Sequence, residues 1–90
     1  MAIPQHTIDQ ILDRTDIVDL IGQRVKLKKT GRTYSGCCPF HQEKSPSFHV
    51  YRDKQYFHCF GCLANGNAIR FSMDIDGRNF VDVMKDLSSQ

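Results

Sequence analysis

The sequence lacks any apolar run long enough to span a membrane, and its first residues do not form a secretory signal. The first absence excludes a membrane-spanning helix, and the second favours a reducing cytoplasm in which cysteine thiols persist. Internal repeats and low-complexity tracts are absent too. At 90 residues the chain makes one domain, residues 1–90, whose apolar core alone leaves a thin margin of stability. We therefore expect a further stabilising element.

Two short pairs of metal-binding residues supply that element. Two residues separate Cys38 from His41, two separate Cys59 from Cys62, and seventeen lie between the pairs. This spacing predicts one tetrahedral zinc held by three thiolates and one imidazole. Since protein fills all four positions, the zinc is structural, and a catalytic zinc with a bound water is disfavoured. Two disulfides are the alternative, but chance rarely places a histidine where it completes the set.

Zinc binding is expected to supply roughly 10 to 16 kcal/mol, most of it as folding free energy. Strong chelation should therefore unfold the central half of the chain.

The adjacent cysteines leave one sulfur spare. Cys38 is favoured as the ligand because its spacing to His41 repeats that of the second pair. Pro39 also presets a turn in which later N–H groups can point at the sulfur. Cys37 would face the other way in an extended segment and is predicted to be a small buried hydrophobe. The other histidines, His6, His49 and His58, are not predicted as zinc ligands. For His49 and His58, a strand position that faces solvent or nucleic acid is favoured.

Apolar periodicity predicts two short helices at the front of the chain, the first after Thr7 as N-cap and the second between Asp16 and Gly22. Alternating apolar and basic residues over 24–29 predict a strand that turns Val25 and Leu27 to the core and two lysines to the other side. The rest is predicted as a turn at 30–32, strands over 33–37, 47–51 and 55–59, a turn at Asn65–Gly66, and helices over 68–73 and 80–87 with a break at Asp76–Gly77.

Positive charge is concentrated in the middle of the chain, although the formal net charge is only +2. Residues 24–54 hold eight basic and two acidic side chains, a net charge of +6, whereas 1–23 sum to −3 and 55–90 to −1. An alternative reason for the lysines at 24–29 is that they prevent pairing at an exposed sheet edge. The positive charge, however, extends well beyond that one strand. A basic middle around a metal scaffold predicts a polyanionic partner.

Two segments contain the metal-binding pairs: Cys-Pro-Phe-His-Gln-Glu-Lys-Ser-Pro-Ser-Phe at 38–48 and Cys-Phe-Gly-Cys-Leu-Ala-Asn-Gly-Asn-Ala-Ile at 59–69. Together with residues 15–21 and 25–29, they resemble the amino-terminal zinc-binding domain of bacterial DnaG-type DNA primases. The resemblance implies an α+β zinc ribbon, an antiparallel β-sheet that carries one structural zinc and has short flanking helices. It implies Cys38, His41, Cys59 and Cys62 as ligands. Leu63 departs from the resemblance, since glycine often follows the last ligand.

The same resemblance implies a part in DNA replication in the bacterial cytoplasm. The parent primase, a DNA-directed RNA polymerase and thus a nucleotidyltransferase of the primosome, makes RNA primers on single-stranded DNA. This domain would bind the template, help to select the initiation site, and serve the RNA polymerase domain, including that of a neighbouring molecule in trans. The catalytic Mg²⁺ site and the region that binds the replicative helicase would lie outside this chain. Glu43 and the scattered aspartates form no carboxylate pair for nucleotidyl transfer, so this chain alone should be inert as a polymerase.

Single strands are bound through basic side chains along the backbone and aromatic faces against the bases. The candidates for phosphate contact are Lys26, Lys28, Arg32, Lys44, Arg52 and Lys54, and those for stacking are Tyr34, Phe48, Tyr51, Tyr56 and Phe60, although the core is the favoured place for Phe48. Phe40, Phe48 and Phe57 are expected in the core. The alternative is a zinc ribbon that docks on an acidic protein without direct DNA readout.

Overall fold

In the described part of the chain, an antiparallel sheet of five short strands forms the middle, with two helices before it and two after it. The computed structural model describes residues 3–40 and 45–89. The elements are α1 (Gln5–Arg14), α2 (Ile17–Gly22), β1 (Lys28–Thr30), β2 (Thr33–Gly36), β3 (Phe48–Tyr51), β4 (Tyr56–Cys59), β5 (Asn65–Gly66), α3 (Ala68–Asp76) and α4 (Phe80–Ser88). The strands lie in chain order across the sheet, so the predicted α+β class with an antiparallel sheet is confirmed. Within the described residues, no helix is long and apolar enough to cross a membrane.

One face of the sheet packs against α2 and α3 and forms the main core. Phe48, Val50 and Phe57 are fully buried there, as predicted for the two phenylalanines. The ring of Phe71 from α3 lies 5.7 Å from that of Phe57, edge to face. Phe40 is partly buried and covers the same cluster, with ring centroids 6.3 Å from Phe48 and 6.0 Å from Phe57. A second cluster joins α1, α3 and α4 through Ile11, Ile69, Val83, Met84 and Leu87.

The hairpin of β3 and β4 is tied to α2 at its turn. The backbone N–H of Ile17 donates to Oε1 of Gln55, at 2.8 Å. The guanidinium of Arg52 lies 3.0 Å from a carboxylate oxygen of Asp16 and 3.4 Å from one of Asp19. Because Asp16 also caps α2 by accepting from the N–H of Val18 at 2.9 Å, one carboxylate serves both the helix and the hairpin.

Three local predictions were wrong. Helix α1 begins at Gln5 after Pro4, so Thr7 lies in the first turn and donates its N–H to the carbonyl of Pro4. The first strand begins at Lys28 rather than at residue 24, because the N–H groups of Arg24 and Val25 bond to the carbonyl of Ile21 and extend the end of α2.

The third wrong prediction is the turn at Asn65–Gly66, which is instead the edge strand β5. Asn65 pairs with His58 and Gly66 with Phe57, so β5 occupies the side of β4 that β3 leaves open. Gly66 has φ +149°, and a Cβ there would lie 2.6 Å from Cγ of Arg70. The glycine thus permits a close crossing by α3.

Candidate metal centre and nucleic-acid face

Three cysteine sulfurs converge at one end of the sheet. Cys59 ends β4, Cys62 lies in the turn after it, and Cys38 follows β2. Their Sγ atoms all lie within 4.8 Å of one another, and those of Cys38 and Cys62 are 3.7 Å apart. Two ligands of a tetrahedral zinc with Zn–S bonds of about 2.3 Å are separated by about 3.8 Å, so this separation suits a shared ion. A disulfide would need about 2.05 Å, and all four cysteines, which lie in the described part of the chain, are without one.

The Cys38 thiol is buried and has a raised pKa. Its side chain is 5% exposed, and burial together with the neighbouring thiols raises the pKa of the Cys38 thiol to about 12. The N–H of Phe40 donates to its Sγ at 3.4 Å and opposes that rise. This N–H follows Pro39, in the geometry that the sequence predicted for the turn. The thiolate form therefore requires a positive partner within the cluster.

The fourth predicted ligand, His41, lies outside the described residues, as does the predicted phosphate contact Lys44. Both remain predictions.

Cys37 is exposed, so the prediction of a small buried hydrophobe was wrong. The chain alternates here, with Cys38 directed into the cluster and Cys37 directed away from it. On that side Cys37 lines a groove of about 800 Å³ with Val25, Leu27 and Pro39 rather than a closed core.

The turn that contains Cys59 and Cys62 includes a leucine whose backbone is in the left-handed region. Leu63 has φ +67°, its N–H donates to the carbonyl of Cys59 at 2.8 Å, and its side chain is 67% exposed. The side-chain amide of Asn65 donates to the Leu63 carbonyl at 2.9 Å. A left-handed backbone costs a residue other than glycine about 1 to 2 kcal/mol, so this turn is strained.

The face of the sheet opposite the core carries a row of polar and ring side chains. The register places Lys28 beside Ser35, Ser35 beside His49, His49 beside His58, and His58 beside Asn65. Directly paired residues point to the same side, so these five side chains cross all five strands on one face. We call this the open face. Four strand spacings of about 4.8 Å give the row a length of about 19 Å.

Aromatic rings form a continuous strip on the open face. Tyr51 pairs with Tyr56, with ring centroids 6.0 Å apart, and the ring of Tyr56 lies 6.5 Å from that of His58. The ring of Phe60 lies 4.5 Å from that of His58 and 5.2 Å from that of His49. The four rings on the strands are partly buried, whereas Phe60 is 60% exposed. We call these five residues the ring strip.

The predicted DNA-contact residues do not all lie together. Tyr56 and Phe60 belong to the ring strip, Lys28 lies on the open face, and Lys26, Arg32 and Lys54 are exposed. Tyr34 instead pairs with Val50 and so lies on the core face, where its hydroxyl accepts from Nη1 of Arg52 at 3.1 Å. Arg52 thus sits with Tyr34 and α2, away from the open face.

His49 and His58 were not among the predicted DNA-contact residues, although a surface facing solvent or nucleic acid was favoured for both, and the structure places them in the ring strip. Their alternation with Phe48 and Phe57 was a usable signal, but only the register shows that they face one another.

A family model described as "CHC2 zinc finger" matches residues 3–90. The "DNA primase" of Haemophilus influenzae is 54% identical over 88 residues, which are 98% of this chain and 15% of that protein. The "DNA primase" of Escherichia coli K12 is 55% identical over 87 residues, 97% of this chain and 15% of that protein. The chain therefore spans about 15% of the length of these curated relatives.

A crystal structure of the Aquifex aeolicus primase, containing zinc binding and RNA polymerase domains, superimposes with a TM-score of 0.87 at 37% identity. The match covers 92% of this chain and 21% of that one.

Proposed function

Since this chain belongs to the CHC2 zinc finger family as a zinc-binding domain of DNA primase, we propose that it binds single-stranded template DNA on its open face and helps to select the initiation site. The observation that carries this proposal is the ring strip, which lies on the same face as Lys28. Rings that expose a face to solvent can stack on unpaired bases, and lysines can contact the backbone between them.

We propose Cys38, His41, Cys59 and Cys62 as the ligands of one structural Zn²⁺. The close sulfurs support three of these, and the sequence spacing supports His41. The ion would cross-link the end of β4 to the segment after β2 and so fix Phe60, which lies between two ligands. The metal would thereby hold one end of the ring strip in place.

Phosphate contacts are proposed for four exposed cations: Lys28 on the open face, Lys26 before β1, Arg32 in the turn after β1, and Lys54 in the turn between β3 and β4. Lys44 is proposed with them from its sequence position alone. Arg52 is a weaker candidate, since its guanidinium is engaged by Asp16 and Asp19.

For the parent protein we propose RNA primer synthesis by a separate RNA polymerase domain that carries Mg²⁺. The present domain would present the template to that domain, in the same molecule or in trans, and the replicative helicase would bind elsewhere in the parent. The names of the relatives and the domains of the Aquifex primase support this assignment.

The proposal is tested by titrating the zinc-loaded chain into a fluorescein-labelled single strand and following anisotropy. Lys28 and Lys29 form a matched pair, since they are adjacent and exposed but point to opposite faces of β1. Lys28→Ala should weaken binding several-fold, and Lys29→Ala should have the smaller effect. Equal effects of the two substitutions, or none from either, would count against the open face.

Salt dependence provides a second readout. Four phosphate contacts predict a slope of log affinity against log salt of about −3, from about 0.7 per contact on single strands. A flat dependence, together with binding to an acidic protein surface, would favour the docking alternative. Chemical-shift mapping with short template strands should place the largest changes on the ring strip.

A further inference from the structure

The turn that follows β4 concentrates exposed apolar surface. Three large apolar side chains are strongly exposed in residues 3–40 and 45–89: Phe60 at 60%, Leu63 at 67% and Val81 at 40%. Two of the three lie within four residues of each other, on either side of Cys62. Clustered apolar exposure of this kind marks contact surfaces more often than single exposed side chains do.

Folding gives no reason for a leucine at position 63. Its left-handed backbone, with φ +67°, disfavours a side chain, and the isobutyl group is too exposed to offset that strain by burial. Strain retained at an exposed position is a feature of functional sites. The side chain itself is therefore a candidate for a contact outside the chain.

Leu63 is held beside the open face. Its carbonyl accepts from the side-chain amide of Asn65, which pairs with His58 at the end of the row. Its N–H bonds to the carbonyl of Cys59, which closes the turn around Phe60. Phe60 in turn contacts the rings of His49 and His58. Leu63 thus lies in the same turn as Phe60 and next to β5, the edge strand at the opposite side of the sheet from β1.

We propose that Leu63 packs against a nucleobase of the bound single strand and extends the ring strip by one contact. This inference rests on the proposed function of the open face. A base is the fitting occupant because the nearest side chains of the open face are rings, whereas Lys28, the lysine of the open-face row, lies on β1 at the opposite edge of the sheet.

The test compares two probes of equal length, a ten-nucleotide thymidine strand and an abasic strand with the same backbone, each labelled and titrated with the zinc-loaded chain. Leu63→Ala keeps the left-handed residue but removes most of the side chain. It should weaken binding to the thymidine strand about four-fold, as expected for loss of a half-buried leucine contact. Its effect on the abasic strand should be close to none.

Three further variants separate the possible outcomes. Leu63→Gly relieves the strain and should lose the same affinity, which rules out misfolding as the cause. Val81→Ala removes exposed apolar surface on α4 and should bind both strands as the wild type does. Lys28→Ala should weaken binding to both strands alike.

Wild-type affinity of Leu63→Ala for the thymidine strand, with Lys28→Ala still weakened, would overturn the Leu63 contact and leave the proposed function intact. If the wild type binds neither strand, or if Lys28→Ala has no effect, the proposed function itself fails. An equal loss on thymidine and abasic strands would also overturn a base contact at Leu63.

Discussion

Exchanging the two adjacent cysteines for serine, one at a time, tests the metal centre directly. Cys38 is buried and its sulfur lies 3.7 Å from that of Cys62, whereas Cys37 is exposed. We expect Cys38→Ser to lose stoichiometric zinc and Cys37→Ser to keep it. The two substitutions make the same chemical change one residue apart, so each is the control for the other.

The expected loss can be worked from the four-donor site. If four ligands share roughly 10 to 16 kcal/mol of binding free energy, one ligand contributes about 3 kcal/mol, or a factor of at least about 100 in affinity. The hydroxyl of serine is shorter and binds zinc poorly as a neutral donor, so it would recover little of this. A substitution at exposed Cys37 should change stability by no more than about 0.5 kcal/mol.

The assay is zinc content by mass spectrometry after gel filtration, followed by competition with a chromophoric chelator. Unfolding followed by circular dichroism should show a lower denaturant midpoint for Cys38→Ser than for Cys37→Ser. Zinc lost from Cys37→Ser and retained by Cys38→Ser would refute the assignment of the ligand. Full zinc in both variants would refute the four-donor site.

Three other predictions follow from the geometry. Leu63→Gly should raise the free energy of unfolding by about 0.5 to 1 kcal/mol, because it relieves about 1 to 2 kcal/mol of backbone strain but adds entropy to the unfolded state. A lower midpoint of urea denaturation than that of the wild type would contradict this. Gly36→Ala should lower the free energy of unfolding by about 1 to 3 kcal/mol, because the new Cβ would lie 2.6 Å from the carbonyl oxygen of Lys26. Gly22→Ala should not lower it, since a Cβ at Gly22 has no atom within 4 Å. Equal urea midpoints for the two variants would refute the close contact at Gly36. Zinc affinity should fall as the pH falls, because the raised pKa of Cys38, about 12, keeps its thiol protonated until the metal displaces the proton. Calorimetry in two buffers of different ionisation enthalpy should find proton release on zinc binding near pH 7, and release of none would show that the Cys38 thiol is not a ligand.

Local patterns predicted most of the elements. The hairpin of β3 and β4 and the helices α3 and α4 follow from alternation, periodicity and the break at Gly77, all of which act between near neighbours. The sulfur cluster could also be predicted from the sequence, because the spacing of the cysteines reflects the geometry of two turns.

The predictions that failed depend on distant parts of the chain. Asn65–Gly66 is a turn by its local chemistry, yet it becomes a strand because β4 has an open edge beside it. The placement of Arg52 also depends on distant residues, because Asp16 and Asp19 hold its guanidinium beside Tyr34 and away from the open face. Contact of Tyr34 and Arg52 with nucleic acid stays a prediction.

The division of the rings between core and open face also required the register. Both strands of the hairpin carry aromatic residues in both alternations, so sequence alone offers two equivalent choices. The pairing of Val50 with Phe57 on the buried side decides between them.

The link from Gln55 to Ile17 has a consequence for how the sheet comes apart. The hairpin of β3 and β4 is bonded to α2 at its turn, and its other end carries the sulfur cluster. Removal of zinc by a chelator would free only the cysteine end of the hairpin, so hydrogen exchange of the backbone amides should accelerate first near Cys59 and last near Tyr56. The sheet would then unfold stepwise from the cysteine end, and the amino-terminal helices would unfold last.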